Sequence, residues 1–182
     1  MKKLMAVLIL AVFTAAGAFG FSIGGGVSGD FNAAVSTIGN EGDVTSLLGG
    51  YIFLDFSFIE INTIFGFDVI KKDNPTSLNF GIIGKFPINL GFLCLFPALG
   101  VDLFTTFPKD SDKDFFNDFS DNLKIGLLAG GGLDIVLGKF FIRGQIFYTL
   151  RIPTKDDKVA LSTVKTLNNG VKFMLGAGFK LF

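Results

Sequence analysis

The sequence predicts an all-β fold, an eight-stranded antiparallel up-and-down transmembrane β-barrel with short periplasmic turns and longer outer loops. Three observations lead to this prediction. Hydrophobic residues make up 49% of the chain, and its mean hydropathy is +0.57. Apolar residues recur at every second position in eight segments, which is the period of a strand with two unlike faces. The connections between the segments alternate between short and long.

The first four segments cover residues 23–31, 48–56, 59–69 and 78–86. In the first, glycines share the apolar face with Ile23, Val27 and Phe31. The second to fourth carry Leu, Ile and Phe on that face, and the fourth ends just before Pro87. Proline lacks the N–H that a strand interior needs.

The last four segments cover residues 93–103, 123–135, 140–152 and 171–181. Their alternating Leu, Ile, Val and Phe residues are interrupted by Pro97, by Tyr148 and by small residues such as Gly131 and Gly144. None of the eight apolar faces carries a charge. A transmembrane helix is not predicted after the first twenty residues, because even the most apolar stretch, residues 80–101, contains Lys85.

The opposite face of the same segments is charged. It carries six acids and six bases, namely Asp30, Asp55, Glu60, Asp68, Lys85, Asp102, Lys124, Asp134, Arg143, Arg151, Lys172 and Lys180. An eight-stranded barrel has an interior only just wide enough for side chains to fill it. The many large apolar residues would overfill that interior, so we expect them to face lipid and the charges to face the lumen.

The connections support the same orientation. Residues 56–59, 87–90 and 137–139 form predicted tight turns, whereas residues 33–46, 70–77, 105–121 and 153–168 form longer polar connections. Short periplasmic turns and long outer loops are typical of outer-membrane barrels.

The first twenty residues predict a cleaved secretory signal peptide. Lys2 and Lys3 precede an apolar run at residues 4–13, and small residues such as Ala18 and Gly20 follow. The run is about half of the ~20 residues that a spanning helix needs. We therefore assign residues 1–20 to the signal peptide and residues 21–182 to the barrel domain.

Composition excludes several function classes. The 182 residues suit one domain. No His is present, which excludes His-dependent catalysis, and a single Cys excludes an internal disulfide. The 16 basic and 16 acidic residues balance and give no reason to expect nucleic acid as a partner. We expect no cofactor.

The last strand resembles the assembly signal of a known family. Residues 171–182 alternate and end in Phe182, with Phe179 nearby, and the whole chain resembles the small eight-stranded outer-membrane barrels of diderm bacteria, the OmpA, OmpX and OmpW type. The resemblance implies an outer-membrane location, lipid contacts and recognition of Phe179 and Phe182 by the barrel-assembly machinery. Lys180 stands where the family usually has an aromatic residue, which a bulge or a variant signal would explain.

We predict a charge network in the lumen, with Arg143 and Arg151 as hubs because guanidinium binds carboxylates at two points. Its members are Asp55, Glu60, Asp68, Lys85, Asp102, Lys124, Asp134, Arg143, Arg151 and Lys172. Pairing is favoured because an isolated buried charge is costly. The alternative is a polar pathway.

Apolar side chains also point into the predicted lumen. They include Tyr51, Phe53, Phe96, Leu128, Phe141 and Phe147. We interpret them as packing between charged layers. The alternative is a hydrophobic channel of the OmpW type.

The third long connection contains a weak calcium candidate. Asp110, Asp112 and Asp114 have the spacing of an EF-hand loop, but Phe115 occupies the position that needs glycine. A solvated acidic loop is the favoured interpretation.

The functional prediction is a non-enzymatic outer-membrane protein, since the enzymes known in this family use His. It would act in membrane integrity or in surface interaction with a host or other ligand through its outer loops, with the lumen sealed by charge pairs. The alternative is a narrow channel for small or hydrophobic solutes.

Overall fold

A computed structural model describes residues 20–34, 44–69, 76–107, 123–153 and 168–181. These residues form nine strands. They are β1 (Ser22–Ala34), β2 (Val44–Asp55), β3 (Ile59–Asp68), β4 (Thr76–Lys85), β5 (Ile88–Leu90), β6 (Leu93–Phe107), β7 (Lys124–Leu137), β8 (Phe140–Pro153) and β9 (Asn168–Lys180). Among the described residues, no helix is long and apolar enough to span a membrane.

Eight of the strands close into an antiparallel barrel, which confirms the predicted fold class. The order around the barrel is β1, β2, β3, β4, β6, β7, β8 and β9, and β9 pairs with β1 to close the sheet. The short strand β5 pairs with β6 in the same register as β4. It therefore extends the line of β4 past the residue at which β3 begins. The longer connections between strands include residues 35–43, 70–75, 108–122 and 154–167, which lie outside the described residues.

The prediction of a tight turn at residues 87–90 is wrong, because Ile88–Leu90 form strand β5. Lys85 pairs with Ala98 and Ile88 pairs with Leu95, so β4 and β5 keep one register along β6. The chain reverses later, at Gly91 and Phe92. Proline is typical of a turn, but Pro87 lies within a continued strand whose outer edge has no neighbouring strand among the described residues, and proline is tolerated at such an edge.

The three hairpin turns of this end share one geometry. Each has two central residues, and the first of them has a positive φ: Ser57 at 66°, Gly91 at 79° and Gly138 at 69°. A positive φ at this position matches the right-handed twist of the flanking strands. The predicted turns at residues 56–59 and 137–139 therefore agree with the structure. We call this end the turn end and the opposite one the loop end.

The two faces of the sheet differ in burial. Outward side chains such as Val27, Ile52 and Leu175 are exposed, whereas inward ones such as Glu60 and Phe147 are fully buried. The exposed row contains Leu, Ile, Val and Phe around the whole wall. The barrel thus has an apolar exterior, whereas its interior contains buried charged, polar and apolar side chains.

The last strand contains no bulge, so that explanation of its unusual sequence is wrong. Strand β9 keeps one register with β1 and with β8 along its length. Phe179 lies on the outward face, where its ring is 4.9 Å from that of Phe140, and Leu181 follows it on the same face. Lys180 faces inward. Phe182 lies outside the described residues.

Candidate functional site: the charged lumen

The lumen contains two clusters of charged side chains separated by an apolar layer. The turn-end cluster consists of Asp55, Glu60, Lys85, Asp134 and Arg143. The loop-end cluster consists of Asp30, Asn79, Asp102, Arg151 and Lys172. Together they include a side chain from each of the eight barrel strands, and β8 supplies both arginines.

Arg143 is the centre of the turn-end cluster. Its Nε and Nη2 atoms donate to the two carboxylate oxygens of Asp134, each at 2.7 Å. Its Nη1 donates to Glu60 at 2.6 Å, and Nη2 also donates to Asp55 at 2.6 Å. All three guanidinium nitrogens are thus hydrogen-bonded, as a planar fork with several donors permits. Lys85 adds a contact of 2.5 Å to Asp55.

Aromatic rings surround the same guanidinium group. The Cζ atom of Arg143 lies 4.9, 5.2 and 4.8 Å from the ring centroids of Phe53, Phe96 and Phe141. Lys85 Nζ lies 4.9 Å from the Phe96 ring. Cation–π contacts of this kind strengthen when water is excluded, so the rings and the carboxylates stabilise the same buried cations.

The apolar layer fills the middle of the lumen. Its buried members are Tyr51, Phe53, Ile64, Ile83, Phe96, Ala98, Leu128, Phe141, Phe147 and Met174. Six of them are the residues that the sequence predicts to pack between charged layers, with a hydrophobic channel as the alternative. Phe53, Ile83 and Phe147 are at most 1% exposed.

Glycines on the closing seam between β1 and β9 make room for these rings. Gly24 pairs with Gly178 across the seam. A Cβ atom at Gly24 would collide with the Phe53 ring, and one at Gly178 would collide with the Phe141 ring. The bare inner face of the seam therefore accepts aromatic side chains from the two neighbouring strands, Phe53 from β2 and Phe141 from β8.

The loop-end cluster is organised around one oxygen atom. Asp102 Oδ2 accepts from Asn79 Nδ2 at 2.6 Å, from Lys172 Nζ at 2.7 Å and from Arg151 Nη2 at 3.3 Å. Arg151 Nη2 also donates to Asp30 at 2.5 Å. The guanidinium group of Arg151 lies 4.1 Å from the Phe104 ring.

Several buried polar atoms of this cluster have no partner in the described structure. They are Arg151 Nε and Nη1, Asp102 Oδ1 and Asn79 Oδ1. Asp102 Oδ1 faces Gly126, where an added Cβ would collide with it. Burying an unpaired donor or acceptor costs about 1–3 kcal/mol, so the loop-end cluster is bonded less completely than the turn-end cluster.

A cavity of about 470 Å³ opens at the turn end and reaches the turn-end cluster. Its wall includes the charged residues Asp55, Lys85, Asp134, Arg143 and Lys180. The polar side chains of Ser22, Ser57 and Asn89 and the thiol of Cys94 also line it. We call this cavity the vestibule.

The two remaining predicted network residues, Asp68 and Lys124, lie toward the loop end of the barrel. Asp68 is buried near the loop end of β3, and Lys124 is half-buried at the start of β7. Asp110, Asp112 and Asp114 lie outside the described residues. In the described ranges, no group of three or more His, Cys, Asp and Glu residues is arranged to hold a metal ion.

Two amides of the site were missed in the sequence. Asn79 donates to Asp102, and Gln145 Nε2 donates to Glu60 at 3.1 Å. Both stand on the inward face of strands that also carry charged residues. A search for every polar residue with inward parity, rather than for charges alone, would have found them.

The structure is similar to solved outer-membrane barrels. Neisserial surface protein A matches with a TM-score of 0.53 at 13% identity, over 88% of this chain and 97% of that one. The N-terminal barrel domain of Pseudomonas aeruginosa OprF matches with a TM-score of 0.46 at 14% identity, over 88% and 97%. Ail of Yersinia pestis matches with a TM-score of 0.47 at 15% identity, over 89% and 98%.

The first of these likenesses shows that the fold is that of a small eight-stranded outer-membrane β-barrel. No protein-family model matches the chain. A comparison with curated protein sequences finds no similar one.

Proposed function

We infer that this chain is an integral outer-membrane protein without enzymatic activity, which acts in membrane integrity or surface interaction through its outer loops. The observation that carries this proposal is that buried side chains fill the lumen beyond the vestibule. Two hydrogen-bonded charge clusters enclose a layer of fully buried side chains that includes Phe53, Ile83 and Phe147. A barrel filled in this way leaves its loops as the surface with which other molecules can interact.

The exterior supports the membrane location. Exposed Leu, Ile, Val and Phe side chains cover the wall, and closure of β1 on β9 pairs both edges of each of the eight barrel strands, so that only the short strand β5 has a free edge. A closed barrel satisfies its backbone hydrogen bonds in hydrocarbon, where water cannot.

The membrane location is tested by Leu127→Arg on the outward face of β7, compared with Lys124→Ala on the inward face. Leu127 is 48% exposed, and Arg near the bilayer midplane costs about 2–4 kcal/mol. We expect Leu127→Arg to abolish or strongly reduce the folded band on unheated gels from vesicles. Equal folded yields of the two variants would contradict the assigned faces.

The sealed lumen is tested by planar-bilayer conductance of the refolded chain 21–182, with a heated and unheated gel to show that it is folded. We expect no reproducible conductance steps. Steps from folded protein would contradict the seal.

A narrow channel is the second candidate, and the vestibule favours it. This cavity already carries solvent-sized space from the turn end to Arg143, so the apolar layer and the loop-end cluster are what separate it from the other side. Under the channel hypothesis, Phe53→Ala and Phe147→Ala increase an existing conductance. Under the sealed hypothesis, wild type is silent.

Export and assembly are further parts of the proposal. Cleavage of residues 1–20 is checked by mass spectrometry of the mature chain recovered from membranes. The proposed assembly signal is Phe179 and Phe182, and Phe179 lies on the outward face of β9, where Leu181 follows it. We expect Leu181→Asp to lower assembly in cells more than in detergent refolding. Equal losses in both settings would argue against recognition by the machinery.

A further inference from the structure

The turn that joins β5 to β6 differs chemically from the other two turns of the same end. Its tip consists of Leu90, Gly91, Phe92 and Leu93, and no charged residue lies between Lys85 and Asp102. The turn between β2 and β3 is instead flanked by Asp55 and Glu60, and the turn between β7 and β8 contains Lys139. Phe92 is 67% exposed. We call residues 86–95 the apolar hairpin.

The apolar hairpin continues the barrel wall. Phe86, Ile88 and Leu90 are exposed and follow the outward residues of β4 in the same alternation. On its inner side, Pro87, Asn89 and Cys94 line the vestibule. The hairpin therefore has one face on the exterior of the barrel and one face on the vestibule.

The height of the apolar wall requires the hairpin. The outward residues of β4 alone, Leu78 to Gly84, cover ~16 Å along the barrel axis at a rise of ~3.4 Å per residue and a tilt of ~40°. The apolar band of such barrels is ~25 Å tall. With the hairpin, the row extends to Leu90 and covers ~31 Å. The band on this side is complete only when the hairpin lies in it.

The free edge of the hairpin is unsuited to a protein strand. Lys85 N–H donates to Phe58 C=O, and Phe86 N–H donates to Pro97 C=O. Because alternate residues of an antiparallel strand point their N–H groups to opposite sides, position 87 comes next on the edge that has no neighbouring strand in the described ranges. Pro87 has no N–H to offer there, and proline on an edge blocks strand addition.

We propose that the apolar hairpin inserts into the phospholipid leaflet at the turn end and fixes the depth of the barrel on that side. Phe86, Ile88 and Leu90 contact acyl chains, and Phe92 lies at the headgroup boundary, where aromatic side chains are enriched. Water in the vestibule, which Pro87 and Asn89 line, supplies partners to the few backbone groups of the free edge. This proposal rests on the proposed membrane location.

Single tryptophans test the insertion, because the chain has no Trp of its own. Phe92→Trp is placed in phosphatidylcholine vesicles, and quenching by brominated acyl chains is compared with quenching by iodide in the buffer. Ile82→Trp on the wall is the hydrocarbon reference, and Phe58→Trp beside the vestibule is the aqueous reference. All three replace exposed side chains, and the unheated gel band shows that each variant is folded.

We expect bromine to quench Trp at position 92 at least about twofold more strongly than Trp at position 58, with a blue-shifted emission. If position 92 is instead quenched by iodide as strongly as position 58 while position 82 responds to bromine, the hairpin projects into water and the inference is wrong. If bromine does not quench position 82 either, the proposed membrane location itself fails.

Discussion

The two charge clusters of the lumen use arginine in different ways. Arg143 at the turn end bonds through Nε, Nη1 and Nη2 to three carboxylates on β2, β3 and β7. Arg151 at the loop end bonds through Nη2 alone, and its other nitrogens lack partners among the described residues. Both arginines are at most 2% exposed. The difference shows that burial alone does not make a charge network strong; the number of acceptors that the register places within reach decides it.

The largest expected effect is at Arg143. Replacing it by Met leaves Asp55, Glu60 and Asp134 buried with Lys85 as their remaining cation in the cluster. Breaking a buried charge network by removing one partner costs about 3–5 kcal/mol. We expect the urea concentration at the unfolding midpoint of the vesicle-folded protein to fall strongly. The heat-modifiable gel band measures the folded fraction at each urea concentration.

Arg143→Lys is the matched control, since it keeps the charge but loses the planar fork. We expect an intermediate midpoint. If Arg143→Lys were as stable as wild type, the hydrogen-bond geometry would contribute little, and the contrast with Arg151 would lose its basis.

A smaller effect is expected at Arg151. Arg151→Met removes one bonded nitrogen and two unpartnered ones, and Lys172 remains 2.7 Å from Asp102. We expect a loss of about 1–3 kcal/mol, measured by the same urea titration. A loss equal to that of Arg143→Met would break the comparison between the clusters.

The smallest expected effect comes from substituting Gly126, which tests how tightly the loop-end cluster is packed. A Cβ at Gly126 collides with Asp102 Oδ1, whereas a Cβ at Gly144 has nothing within 4 Å. We expect Gly126→Ala to destabilise the barrel by about 1 kcal/mol and Gly144→Ala to leave the urea midpoint unchanged. Equal midpoints for the two variants would mean that the carboxylate moves aside freely.

Much of the fold could be predicted from the sequence because a strand of period two assigns every residue to one face. The parity that placed Asp55, Lys85 and Arg143 together on one face is local information. Which inward residues meet is not local. Arg143 and Glu60 stand 83 positions apart in the chain, and they meet because of the stagger of all the strands between them, which alternation does not specify.

The missed hairpin shows how a single residue misleads this kind of reasoning. Proline is a residue type common in turns, but the alternation of Phe86, Ile88 and Leu90 continues through Pro87. The stronger turn signal was Gly91, since a two-residue turn needs a positive φ at its first position. Proline was tolerated because its missing N–H faces an edge without a neighbour.

The pairing of β1 with β9 has a consequence for how the barrel folds. The register joins residues near position 22 to residues near position 180, so the contacts that close the sheet have the largest sequence separation of the strand pairings in the described residues. Such contacts form slowly, because loop-closure entropy must be lost before they form. Until β9 docks, β1 and β8 each retain an unpaired edge, and no shorter set of these strands makes a closed sheet. We therefore expect the barrel to close in one concerted step late in folding, when β9 docks. Mutations in β9 are expected to change the folding rate more than mutations in β3.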